Sequence, residues 1–85
     1  MEEVQILVVD DDKDISEILA FNLENEGWNV TLAHSAEEAL RKLDPAVSLI
    51  LLDVMMEGMS GYQLAERLRK DKNSVPIIFL TAKDT

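Results

Sequence analysis

Three short apolar runs, Ile6-Leu7-Val8-Val9, Leu49-Ile50-Leu51-Leu52 and Ile77-Ile78-Phe79-Leu80, are each bounded by polar or turn-forming residues. Runs of this length predict strands buried on both faces of a sheet. A fourth stretch, Trp28-Asn29-Val30-Thr31-Leu32-Ala33, alternates instead, as a strand near a sheet edge does. The expected strands are therefore Val4 to Val9, Trp28 to Ala33, Ser48 to Asp53 and Pro76 to Thr81. Proline at the first position of the last strand is tolerated there.

Between the strands the period changes to that of a helix. Ile15, Ile18, Leu19, Asn22 and Leu23 share a face, predicting a helix from about Asp14 to Glu26 with Asp12 as N-cap and Gly27 as stop. Phe21 lies off this stripe and marks a second apolar edge. Ser35-Ala36-Glu37-Glu38 has the form of a capping box and opens a short helix with Ala36, Ala39, Leu40 and Leu43 inward. Asp44-Pro45 ends it, because the residue before proline is pushed out of the helical region. Ser60-Gly61-Tyr62-Gln63 repeats the capping pattern ahead of Leu64, Ala65 and Leu68, with Glu66 and Lys70 an i,i+4 pair and Asn73-Ser74 the end. Strands alternating with helices imply βαβ units with right-handed crossovers, hence an α/β fold on a parallel sheet. No internal repeat, linker or low-complexity segment interrupts the 85 residues, which suffice for one small domain.

The net charge of −9 argues against nonspecific nucleic-acid or anionic-membrane binding, both of which need a basic face. It permits cation binding wherever the carboxylates cluster. With no cysteine there is no disulfide, thiol chemistry or Cys-ligated metal site. Met1-Glu2-Glu3 is the reverse of a signal peptide's basic start, and no apolar run approaches the roughly 18 residues of a membrane span. The expected location is cytoplasmic.

The candidate chemistry lies at the ends of the strands. Asp10-Asp11, Asp53 and Thr81 each follow an apolar run, and in a parallel sheet they come to one edge, where ligands of such sheets bind. Singly, each has an ordinary explanation. Asp53 starts a turn, Asp10 to Asp12 favour a helix N-terminus, and Thr81 is a strand-end threonine. Together they form a group of carboxylates that must either protonate or share a cation. An all-oxygen set with room for water suits Mg²⁺. A carboxylate beside that ion is a plausible nucleophile towards phosphorus, in a reaction where the protein mainly positions groups and neutralises charge.

Val8-Val9-Asp10-Asp11, Leu51-Leu52-Asp53 with Gly61 eight residues on, and Leu80-Thr81-Ala82 resemble the receiver domain of two-component response regulators along the whole chain. The resemblance implies a flavodoxin-like sheet in the order 2-1-3-4. It implies that Asp53 accepts a phosphoryl group from a histidine kinase and that Asp10, Asp11, Asp53 and the Met55 backbone carbonyl hold Mg²⁺. It also implies that Thr81 is the switch hydroxyl. Such a module is a phosphoacceptor, not an enzyme, beyond phosphorylating itself from a donor.

Two departures stand out. Glu57 occupies the position where the family has proline, loosening the loop and adding negative charge near the site. The chain also stops after the fourth strand, so residues 1–85 read as a partial receiver domain without the fifth strand, its lysine and the last two helices. Lys83 does not take that lysine's role. An uncovered fourth strand and a bare Phe21 side predict self-association into a homo-oligomer such as a dimer.

A folding or self-assembly unit without phosphotransfer is the second reading. A phosphatase of the haloacid-dehalogenase type is the third, but Asp14 stands where that family has Thr or Val, and its later motifs do not fit in 85 residues. Neither a Gly-x-Gly-x-x-Gly motif nor a P-loop is present. Met55, Met56 and Met59 read as loop packing, His34 as a surface turn and Trp28 as strand packing.

Overall fold

A computed structural model describes residues 4–80. Their elements run β1 (Gln5–Val9), α1 (Lys13–Asn25), β2 (Asn29–Ala33), α2 (Ala36–Lys42), β3 (Leu49–Asp53), α3 (Gly61–Lys70) and β4 (Ile77–Leu80). The four strands are parallel and lie in the order β2-β1-β3-β4. This is the flavodoxin-like α/β arrangement expected from the sequence. Register pairs Val9 with Ala33 and Leu52, and Asp53 with Leu80, so the carboxyl ends of the strands line up along one edge.

Strand side chains alternate between the two faces. Leu7, Val9, Ile50 and Leu52 form one core with Ala36 and Ala39 of α2 and Leu64 and Leu68 of α3. Ile6 and Val8, also fully buried, point to the opposite face, as Asp53 does in its turn along β3. The central strands β1 and β3 are mostly apolar because both their faces are covered, and this is why they show no polar alternation.

The helix ends follow local chemistry. The Asp12 side chain accepts from the N–H groups of Asp14 and Ile15. Ser60 and Gln63 form the full reciprocal capping box of α3. At α2 only half of the expected box forms. Ser35 Oγ accepts from Glu38 N–H, while the Glu38 carboxylate reaches past the cap to His34 N–H at 2.7 Å and pairs with Lys42 at 2.8 Å. Gly27, with φ +92°, takes the left-handed turn that releases α1. At the end of α3 Lys72 adopts the same conformation, φ 65°, where a glycine would be expected. The ion pair on that helix joins Arg67 to Asp71 at 3.1 Å, one residue along from the Glu66–Lys70 pair read from the sequence.

The stripe assigned to α1 is turned. Ser16 is completely buried and Leu19, Ala20 and Leu23 are partly buried, whereas Ile15, Ile18, Phe21 and Asn22 are exposed. Periodicity weights apolar side chains, but close approach of this helix to the sheet favours a small residue. Serine meets that need, its hydroxyl bonding the carbonyls of Asp12 and Lys13. Ile78 and Phe79 on β4 are also substantially exposed.

Candidate functional site

The site grows out of three chain segments. β1 delivers Asp10 as its first residue beyond the strand, and Asp11 follows before the Asp12 cap. β3 ends on Asp53. Among the described residues Asp10, Asp11 and Asp53 are the potential metal-holding group, with a carboxylate oxygen from each lying within 4.8 Å of the others. Asp10 and Asp53 are buried and Asp11 is exposed. A cleft of about 380 Å³ opens above them, walled on its apolar side by Ile15, Leu19 and Leu80.

The carboxylates are held by backbone. Asp12 N–H donates to Asp10 Oδ1 at 2.9 Å, and Met55 N–H donates to Asp53 Oδ1 at 3.1 Å. Each is a side chain bonded to its own backbone two residues on, a turn that orients the carboxylate without a partner from elsewhere. Gly61, the first residue of α3, is packed against the backbone carbonyl of Asp53, and its N–H donates to Val54 O at 3.0 Å. A Cβ at position 61 would overlap the Asp53 carbonyl oxygen. Glycine there lets α3 close on the loop that leaves β3.

Burial pushes the Asp53 carboxyl above the usual carboxylate range. Donation from Met55 N–H opposes the shift, while the charges of Asp10 and Asp11 and a side-chain hydrogen bond with Asp10 add to it. No lysine or arginine lines the cleft among the described residues. Repulsion within the group is therefore relieved by a proton or by a cation from solution. Three carboxylate oxygens lining one cleft fit a hard, oxygen-seeking divalent ion such as Mg²⁺ and offer nothing to a soft one.

The expected site residues thus assemble in large part. Asp10, Asp11 and Asp53 meet, and Met55 stands at the rim with its N–H on Asp53 and its thioether exposed. Thr81 and Lys83 lie outside the described residues. Trp28 precedes β2 at the amino end of the sheet, opposite the carboxylates. His34, a surface turn by sequence expectation, bonds the Asp10 carbonyl through its ring at 3.0 Å. No periodicity or motif marks that contact, because it joins residues 24 positions apart.

Residues 6–85 match the response regulator receiver domain family. The chain is 44% identical over 81 residues to the alkaline phosphatase synthesis transcriptional regulatory protein PhoP of Bacillus subtilis, covering 94% of this chain and 34% of that protein. It is 43% identical over 86 residues to the uncharacterized transcriptional regulatory protein YkoG of the same organism, covering 100% and 38%. The chain thus spans little more than a third of these curated relatives. Among solved structures, the response regulator TrrA of Thermotoga maritima, in complex with Mg²⁺ and BeF, superposes with a TM-score of 0.86 at 40% identity, covering 95% of this chain and 71% of that one. The non-phosphorylated HemR receiver domain of Leptospira biflexa gives 0.87 at 33%, covering 98% and 68%.

Proposed function

Because the chain belongs to the response regulator receiver domain family, a family of signalling modules, we propose that Asp53 is its phosphoacceptor, taking a phosphoryl group from a histidine kinase. The observation that carries the reading is the convergence of Asp10, Asp11 and Asp53 to within 4.8 Å at the carboxyl edge of the sheet. Met55 N–H holds one oxygen of Asp53, and the other attacks phosphorus. An O–P bond forms, the P–N bond of the donor phosphohistidine breaks, and the released imidazole takes up a proton. Asp10, Asp11 and Asp53, with the Met55 carbonyl, would hold Mg²⁺, which supplies neutralisation of charge on the transferring group. Thr81 is proposed as the hydroxyl that turns to the bound phosphoryl group. Residues 1–85 act as the phosphoacceptor part of a receiver domain, and the cytoplasm is the compartment where such a donor is met.

The test is incubation with acetyl phosphate and Mg²⁺, read by intact mass. A phosphoryl adduct on the wild type that is absent from Asp53→Asn supports the reading. An adduct that persists in Asp53→Asn refutes the assignment of the acceptor.

The exposed apolar side chains favour a second property. Ile18, Phe21, Ile78 and Phe79 are each more than a third exposed, and Tyr62 packs against Phe79 with the rings tilted by 57° and their centroids 4.9 Å apart. These surfaces support self-association of the 85-residue chain, most simply as a dimer, and this holds whether or not Asp53 accepts phosphate. Sedimentation velocity over a concentration series tests it, and a monomer at every concentration refutes it.

A further inference from the structure

We propose that His34 is a positioning residue for the cation site, holding the peptide from which both Asp10 and Asp11 branch. This rests on the reading that these carboxylates bind Mg²⁺. The Asp10 carbonyl can only accept, so the contact at 3.0 Å requires a proton on Nδ1 of His34. That carbonyl belongs to the peptide plane between the Asp10 and Asp11 α-carbons. Rotation about either bond flanking that plane, ψ of Asp10 or φ of Asp11, moves the carbonyl and reorients one side chain relative to the other, which changes the distance between their oxygens. One residue earlier, Asp10 N–H donates to Ala33 O at 3.0 Å. The end of β2 therefore grips the two successive peptides on either side of Asp10, the first through backbone and the second through the His34 ring.

His34 is itself held on its other side. Its N–H donates to Glu38 Oε1 at 2.7 Å, Glu38 Oε2 pairs with Lys42 at 2.8 Å, and Lys42 Nζ donates to Leu32 O at 2.7 Å. The first two turns of α2 thus fix the backbone that carries the imidazole, and a chain of polar contacts runs from that helix to the acidic pocket. Groups that orient metal ligands without touching the metal commonly change its affinity by an order of magnitude or so. Here the contact is to backbone, so the expected effect is smaller, about three- to tenfold.

Mg²⁺ titration of the 85-residue chain by isothermal calorimetry, with thermal melts at zero and saturating Mg²⁺, tests the proposal on His34→Phe and His34→Asn. Phenylalanine keeps the ring and removes the donor. Asparagine puts an N–H at the same number of bonds from the α-carbon as Nδ1. The dissociation constant should rise about three- to tenfold in His34→Phe and return to within about twofold of wild type in His34→Asn. The rise in melting temperature produced by Mg²⁺ should shrink in the first variant and recover in the second, which a general loss of stability does not produce. If His34→Phe does not fold, His34→Leu serves in its place. Wild-type affinity in the donor-less variant overturns this proposal alone, as does equal impairment in His34→Asn. Failure of the wild type to bind Mg²⁺ overturns the metal reading and this proposal with it.

Discussion

Replacing Asp53 by asparagine should stabilise the fold in the absence of a divalent cation. In the wild type, ionised Asp53 faces Asp10 and Asp11 with oxygens within 4.8 Å. Two unit charges at that separation repel by about 3.5 kcal/mol at an effective dielectric constant of about 20. Exposure of Asp11 and screening by salt reduce this, and the raised affinity of Asp53 for a proton relieves part of the rest. Asparagine keeps an oxygen to accept from Met55 N–H, so little is lost in exchange. The net gain should be about 1–3 kcal/mol at pH 7 and low salt, or a rise in melting temperature of about 5–15 °C for a domain of this size. The sign also predicts the pH dependence. The folded carboxyl titrates above its ordinary value of 3.8, so the wild type's penalty is absent below that pH and grows as pH rises through the folded-state ionisation. Melts of both proteins in EDTA, from pH 3.5 to 8, should therefore diverge with rising pH. Saturating Mg²⁺ should stabilise the wild type more than the variant. An asparagine variant no more stable than wild type at pH 7 in EDTA would refute the view of Asp53 as part of a repelling, cation-seeking group.

Three further outcomes follow from local geometry. Gly61→Ala should lower stability by about 2 kcal/mol or more in urea unfolding, and lower the rate of labelling by acetyl phosphate, because its Cβ displaces the Asp53 carbonyl. Lys72→Gly should raise stability by up to about 1 kcal/mol, since a left-handed φ of 65° strains lysine and not glycine, and an unchanged or lower urea midpoint would count against it. The third concerns the Lys42 ammonium, whose bond to Glu38, with the donation from His34 N–H, brings that carboxyl from 4.5 down to about 2. Its stabilising contribution is thus complete above pH 4.5 and lost as pH falls towards 2, opposite in sign to Asp53. The gap between wild type and Glu38→Gln in thermal melts should narrow over that range.

The elements with one-sided local causes were readable from the chain. The β1 and β3 runs are continuous and apolar because both their faces are buried, and the Ser60–Gln63 box stops and starts backbone hydrogen bonding within four residues. α1 shows the opposite case. Its apolar residues outnumber the places available on its buried face, and Ser16 takes a place that a periodicity count reserves for aliphatics. Lys72 in a glycine conformation and Glu38 reaching beyond its cap to His34 were equally illegible, since each depends on the path of the loop that joins the helix to a strand.

What the sequence by itself determined is the alternation of strand and helix, and with it that every strand must end on the same edge. Parallel pairing brings Asp10, Asp11 and Asp53 to that edge, while the adjacency of β1 and β3 that lets them approach one another is set by the sheet order β2-β1-β3-β4. Only the tertiary structure decided how closely they approach, which of them is buried, and what holds them. Asp53 is enclosed on the α1 side of the sheet, in the cleft it shares with Ile15, Leu19 and Leu80, and the grip on the Asp10 peptide depends on β2 lying beside β1 with the His34 ring on the Asp10 carbonyl. Distances and desolvation are set by packing between segments far apart in the chain, and no local pattern encodes them.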